Sequence, residues 1–540
     1  MHPPVSRLLA LATLLSAGPL LRAAAPPPPA RVIAADVRQV RGPLNPMFDF
    51  CVGAGRANEG LRADWQRQLA DVHRECGFRY LRFHGLLCDD MGVYREDRDG
   101  RPVYNWQYID ALYDALLATG VKPFVELGFM PAALASGPST IFWWKGNVTP
   151  PKDYGKWGDL IRALVTHWTE RYGEAEVATW YFEVWNEPNL SGFWIGDKQG
   201  KTDAEFEPIA RAEYFKLYGV TARAVKAVSP GYRVGGPATA GNAWIPEMIA
   251  FCTKNAVPLD FISTHDYATQ AGYLDENGTA GTVLSSDRDA IAHNVLRSRA
   301  QIAASARPDL ELHYTEWSTS YTPFDPVHDS YHSAAFILEQ LKGAGGAAQS
   351  MSYWTFTDIF EEAGPRMTPF HGGFGLLNYQ DLPKPAFFAF QFLHRLGDTE
   401  LVCGDPAAWV CTDRAGGVQA LFWDYTLTHP GPSVINQVFY RRDLPAAPKG
   451  TATLRLTGLA AGDYALEVFQ VGYRVNDVNA AYRDLGSPAQ LTRAQVALLK
   501  TRSAGAPVEQ TGVTVGADGV FQREFPLREN DVFLVRLRRR

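Results

Sequence analysis

Two glutamates carry the chemistry this chain can be read for. Glu187 closes the run Trp180-Tyr181-Phe182-Glu183-Val184-Trp185-Asn186-Glu187-Pro188, which reads as a buried strand cut short. Pro188 donates nothing to a sheet ladder and biases Glu187 towards an extended backbone. A carboxyl is thereby set at the carboxyl end of a strand, where parallel α/β folds build their sites. Glu316 closes a second such run, Glu311-Leu312-His313-Tyr314-Thr315-Glu316, beside Trp317. Either stretch alone is also an ordinary strand with a polar turn. The two glutamates stand 129 residues apart in the sequence, so only a closed fold brings them together. Two carboxyls across one pocket are what cleavage of a glycosidic bond requires. One protonates the leaving oxygen, and the other attacks or activates water.

The elements that must position them alternate from Met47 onward, which predicts a parallel sheet. Strand-like stretches lie near 51–55, 78–84, 123–129, 180–186, 233–237, 261–265, 312–316 and 351–357. Helical patterns lie between and after them, at 61–76, 106–119, 154–172, 209–228, 244–254, 288–306, 331–342 and 385–396. Eight such units predict an α/β fold, a (β/α)8 TIM barrel, with Glu187 ending strand four and Glu316 ending strand seven. The alternative, an open doubly wound sheet, lacks a glycine-rich fingerprint after the first strand. An insertion at 135–151 carries Phe142, Trp143 and Trp144. It reads equally as a wall around a substrate and as an apolar plug over the helices.

After residue 398 the pattern changes to short alternating strands, at 418–423, 452–456 and 532–537, with Gly and Asp turns. This predicts a C-terminal antiparallel β-sandwich over 399–540, with one helix at 492–501. It is expected to brace the barrel rather than to bind sugar. The barrel itself is assigned to 47–398. Residues 26–46 form a stiff proline spacer and a strand, Arg31 to Val40, available to the sandwich. Residues 1–25 read as a signal peptide. Arg7 precedes a mainly apolar run from Leu8 to Leu21, and Ala23-Ala24-Ala25 offers a cleavage site. That run is too short to span a bilayer comfortably, so a secreted or periplasmic protein is expected.

The net charge of −6 comes with no basic stripe, which argues against nucleic acid as a partner. Aromatic residues make up 12% of the chain. They suit stacking on sugar rings, but large cores use them too. The six cysteines show no paired Cys-x-x-Cys metal pattern. Cys403 and Cys411 flank a short turn and can pair in an oxidising compartment. Asp89-Asp90 is a solvated acidic pair rather than a cation site.

Asn186-Glu187-Pro188 and Thr315-Glu316-Trp317 resemble the acid/base and nucleophile motifs of glycoside hydrolase family 39. So do Gly53-Ala54-Gly55-Arg56, Leu81-Arg82-Phe83-His84-Gly85-Leu86-Leu87, the run from Tyr353 to Glu362, and Pro369 to Leu377. The likeness is to the β-xylosidase branch, is good over roughly 45–400, and is weaker beyond. It implies a retaining exo-acting β-xylosidase working on xylo-oligosaccharides, with Glu187 as acid/base and Glu316 as nucleophile. No metal or organic cofactor is implied. Asn186, His84, His265, Tyr267, Trp354, Glu361 and Glu362 match pocket positions that hold the sugar. Without the resemblance, Glu361-Glu362 reads as a solvated loop, the histidines as core residues, and Asn186 as a turn cap. His371 reads as part of a glycine-rich turn. The same family contains α-L-iduronidases, which need cations for a sugar carboxylate. The acidic Glu361-Glu362 pair and the lack of a nearby Lys/Arg cluster favour a neutral sugar, with arabinosides as a rival or side substrate.

Overall fold

The computed structural model describes residues 31–274, 280–427, 440 and 445–540. The expected signal peptide lies outside the described residues. Eight parallel strands close into a barrel in chain order. They are β1 (Cys51–Arg56), β2 (Tyr80–His84), β3 (Lys122–Leu127), β4 (Tyr181–Val184), β5 (Arg233–Ala240), β6 (Phe261–Tyr267), β7 (Glu311–Ser318) and β8 (Ser350–Tyr353). The helices are α1 (Ala63–Cys76), α2 (Gln107–Thr119), α3 (Tyr154–Tyr172), α4 (Asp203–Val228), α5 (Ile245–Lys254), α6 (Ala290–Ala303), α7 (His332–Ala344) and α8 (Pro385–His394). Local chemistry sets their ends. Asp153 accepts the N–H groups of Gly155 and Lys156 at the start of α3, and Thr202 and Glu205 form a capping box for α4. Gly77 ends α1 at φ 79°, a conformation that favours glycine.

Period-two alternation explains the barrel interior. Tyr80, Phe124, Tyr181 and Phe261 pack with Cys51 and Phe50 into an aromatic floor. Two residues on, the same strands present Arg82, Glu126 and Glu183, a charged layer above that floor. Strands β6 and β7 do not stay in simple register. Thr264 faces Tyr314, but His265 faces Glu316, so β7 bulges at Thr315. A bulge places two successive side chains on one side. Thr315 and Glu316 therefore both look into the barrel.

Two expected strand ends are corrected. β4 stops at Val184, short of Glu187, because the backbone turns left-handed at Trp185 (φ 71°) and again at Glu187 (φ 43°). The Glu187 N–H bonds to the Ala238 carbonyl instead of continuing the ladder (2.8 Å). Glu316 lies within β7, two residues from its end.

The C-terminal sheets are as expected in kind but not in every pairing. A seven-stranded antiparallel sheet faces a three-stranded one. The stretch from Arg31 to Val40 is not one strand. Arg31–Asp36 joins the small sheet parallel to Pro448–Thr457, and Val40–Pro43 edges the large sheet. The expected helix is Arg493–Arg502, and a second helix, Val478–Asp484, precedes it. Cys403 and Cys411 are both free. Cys411 packs into the core shared with the barrel, while Cys403 packs against the sandwich interior. Among the described residues, no helix is long and apolar enough to cross a membrane.

Candidate active site

A cavity of about 800 Å³ opens at the carboxyl ends of the strands. His84, Asn186, Glu187, Tyr267, Glu316, Trp354 and Glu362 all line it. Oxygens of Glu187 and Glu316 and a nitrogen of His265 lie within 4.8 Å of one another. Gly53 is required at the edge of this cluster, since a Cβ there would come within 2.4 Å of the Trp354 indole.

Arg82 organises the floor. Its fully buried guanidinium reaches Glu183 (2.8 Å), Glu126 (2.9 Å) and the Asn186 side-chain oxygen (2.8 Å), and it pairs with Glu316. Burial alone favours the neutral form of an arginine, but three carboxylates outweigh it and hold Arg82 charged. The Tyr267 hydroxyl donates to the other Glu316 oxygen (2.7 Å). His84 Nδ1 sits 2.6 Å from Glu126, and its Nε2 faces Glu316 at 3.4 Å and Glu362 at 3.6 Å.

The two central glutamates differ in their donors. Burial pushes Glu187 well above the ordinary carboxylate range, and the neighbouring Glu316 pushes it further. Burial raises Glu316 as well, but Arg82, His84 and the Tyr267 hydrogen bond oppose it. Of the pair, Glu187 keeps its proton and Glu316 gives it up. Burial and the neighbouring Glu316 push Glu362 up as well.

His265 fixes where the Glu187 proton points. Burial, with Arg82 and His84 nearby, holds His265 well below its usual range, so it is neutral. The Thr315 hydroxyl donates to Glu183 (2.7 Å), so its oxygen can only accept from His265 Nε2 (3.1 Å). The proton of the imidazole is therefore on Nε2. Nδ1 is an acceptor, 2.9 Å from Glu187 Oε1, and takes a hydrogen bond from the protonated carboxyl.

Glu361 does not enter the cavity. Its carboxylate turns to Arg56 (2.8 Å) and Arg62 (3.3 Å) while its neighbour Glu362 faces His84. Successive residues of an extended loop project to opposite sides, so one member of the pair reaches the cavity and the other does not. The buried Glu59 pins this loop, accepting N–H groups from Glu361 (2.9 Å) and Arg56 (3.2 Å). Asp90 is not free either, since it pairs with Arg56. His371 Nδ1 bonds the Thr368 carbonyl within its turn (3.1 Å). In the insertion after β3, Phe142 lines the cavity, Trp144 packs on Phe129, and Trp143 points outward.

Arg82, Glu126, Glu183 and Thr315 escaped the sequence reading. Arg82 and Thr315 fall inside the motifs quoted above without a role of their own, and Glu126 and Glu183 show only as charged residues among apolar strand neighbours. Glu187, His265 and Glu316 offer three atoms close enough to share a cation, as do Asp287, Asp289 and His293 near the surface. In the first group the hydrogen bonds above already engage each atom.

A parallel barrel carrying a protonated and an ionised glutamate across one cavity has the arrangement of a two-carboxylate glycosidase. Comparison with known proteins agrees. The model of glycosyl hydrolases family 39 matches residues 31–522, and the chain belongs to that family. A beta-xylosidase of Geobacillus stearothermophilus is 41% identical over 497 residues, 91% of this chain and 92% of its own. The crystal structure of a GH39 enzyme from Xanthomonas axonopodis pv. citri superposes with a TM-score of 0.89 at 45% identity, covering 96% of this chain and all of that one. A monomeric beta-xylosidase from Caulobacter crescentus CB15 gives 0.88 at 46% identity, over 94% of this chain and all of that one.

Proposed function

We propose that the protein is a retaining, exo-acting β-D-xylosidase that trims xylo-oligosaccharides from the non-reducing end. The separation of Glu187 and Glu316 carries this reading. Oxygens within 4.8 Å of each other suit the roughly 5–5.5 Å between carboxyl groups in retaining enzymes rather than the roughly 6.5–9.5 Å of inverting ones. Glu187 passes its proton to the glycosidic oxygen as Glu316 attacks the anomeric carbon, giving a glycosyl ester and a free alcohol. Glu187, now ionised, takes a proton from water, which displaces Glu316 and restores both groups. Asn186, held by Arg82, and Glu362 and Trp354 supply polar and apolar contacts for the sugar.

Exo action is supported by the hairpin that follows β3. The Trp143 N–H bonds the Glu362 carbonyl (2.7 Å), which joins that hairpin to the loop after β8 and walls one end of the cavity. A neutral sugar is supported by the lining. Among the described residues lining the cavity there is no Lys or Arg, which a uronic acid would need. Secretion or export to the periplasm is supported by the apolar leader, and the mature N-terminus of the exported protein tests it. Assay on a panel of aryl glycosides tests the activity, with proton NMR of the first product. The β-xyloside should be hydrolysed to the β-anomer. First release of the α-anomer would overturn retention, and preference for another glycoside would overturn the sugar.

A further inference from the structure

A second cavity of about 340 Å³ lies beside the first, and Phe324 is a wall of both. Its far side belongs to the C-terminal domain, through the helix Val478–Asp484. Two observations mark it as built to hold a ligand. Asn479 lines it at 8% exposure, yet among the described residues its amide has no hydrogen-bond partner. That amide is not sealed from solvent, so its donors and its acceptor open onto the cavity. Phe324 and Phe370 give it apolar walls, and Arg483 and His371 add polar groups. Asp329 also borders it, but Lys384 and the Gly372 N–H already take up that carboxylate. The result is a lining of aromatic rings and neutral or donor groups, without a free negative charge.

We propose that this cavity is an aglycone subsite for the hydroxyl-bearing pentose units of a longer oligosaccharide. This rests on the xylosidase reading above. A chain held at its non-reducing end between Glu187 and Glu316 leaves the catalytic cavity past Phe324 and enters the second one. There the Asn479 amide, with both donors and an acceptor, meets a sugar hydroxyl. Its volume lies at the small end of the ~300–1,000 Å³ typical of small-molecule sites. The C-terminal domain then helps to select substrate length and is more than a brace.

The test compares wild type, Asn479→Ala and Asn479→Trp on an aryl xyloside, xylobiose, xylotriose and xylotetraose. In the wild type kcat/KM should rise with chain length until the second cavity is filled. Both variants should lose about three- to tenfold on the longer substrates, the worth of one neutral hydrogen bond, and keep wild-type rates on the aryl xyloside. A wild type indifferent to chain length, or variants that lose equally or not at all on every substrate, would overturn the subsite. Failure of the wild type to cleave any xyloside would instead overturn the xylosidase reading, and the subsite with it. Asn479→Ala removes an unpartnered group, so its melting temperature should match wild type.

Discussion

The orientation of the Glu187 proton makes a prediction whose sign is decided by the structure. His265→Ala removes the acceptor that faces the protonated carboxyl at 2.9 Å. A neutral hydrogen bond contributes about 0.5–1.5 kcal/mol, and one pH unit corresponds to about 1.36 kcal/mol. The protonated form of Glu187 loses that support, so its pKa falls by about 0.4–1. Water entering the vacated space favours the ionised form and works in the same direction. His265 is neutral, so no charge is removed with it. The alkaline limb of the kcat/KM–pH profile reports the free acid. In the variant it should move down by that amount on xylobiose, whose leaving alcohol needs the proton. If Nδ1 donated to a Glu187 carboxylate instead, its loss would destabilise the anion and move the limb up. An upward move, or none, would refute the chain of hydrogen bonds from Glu183 through Thr315 and His265.

Other consequences can be tested directly. Glu316→Gln should fold but lose several orders of magnitude in turnover, and a mechanism-based fluoro-sugar should label Glu316 in the wild type; labelling of Glu183 would show that the wrong residue was chosen. Glu362→Ala should lower kcat/KM on xylosides far more than Glu361→Ala, because only Glu362 reaches the cavity; equal losses would contradict the split. Lys384→Met strips the ammonium from the buried pair Asp329 and Asp358, at 2.9 and 3.0 Å, and should cost about 3–5 kcal/mol in denaturant unfolding. Burial pushes Asp266 up to about 7, so its fold prefers the neutral acid. Its contribution to stability is full below the unfolded pKa near 4 and is lost as pH rises through 7. Asp266→Asn should therefore match wild type at pH 4 and be more stable at pH 8, as read by melting temperature.

Much of this protein was legible in the chain itself. The alternation of strand and helix from Met47 sets the eight-unit barrel, since parallel neighbours need helical crossovers between them. Glu187 and Glu316 were visible because a charged residue that closes an apolar strand run is costly unless it is used. The tertiary structure decided the rest. Arg82, Glu126 and Glu183 are ordinary interior positions of three strands until barrel closure places them around one guanidinium. Thr315 faces inward only because β7 bulges against β6, a pairing that neither strand shows alone. Glu361 and Glu362 are adjacent and identical, yet Arg56 and Arg62, about 300 residues earlier, draw one out while His84 faces the other. Which glutamate keeps its proton is likewise not local: it follows from burial, from the distance between the two, and from which one Arg82 and Tyr267 reach.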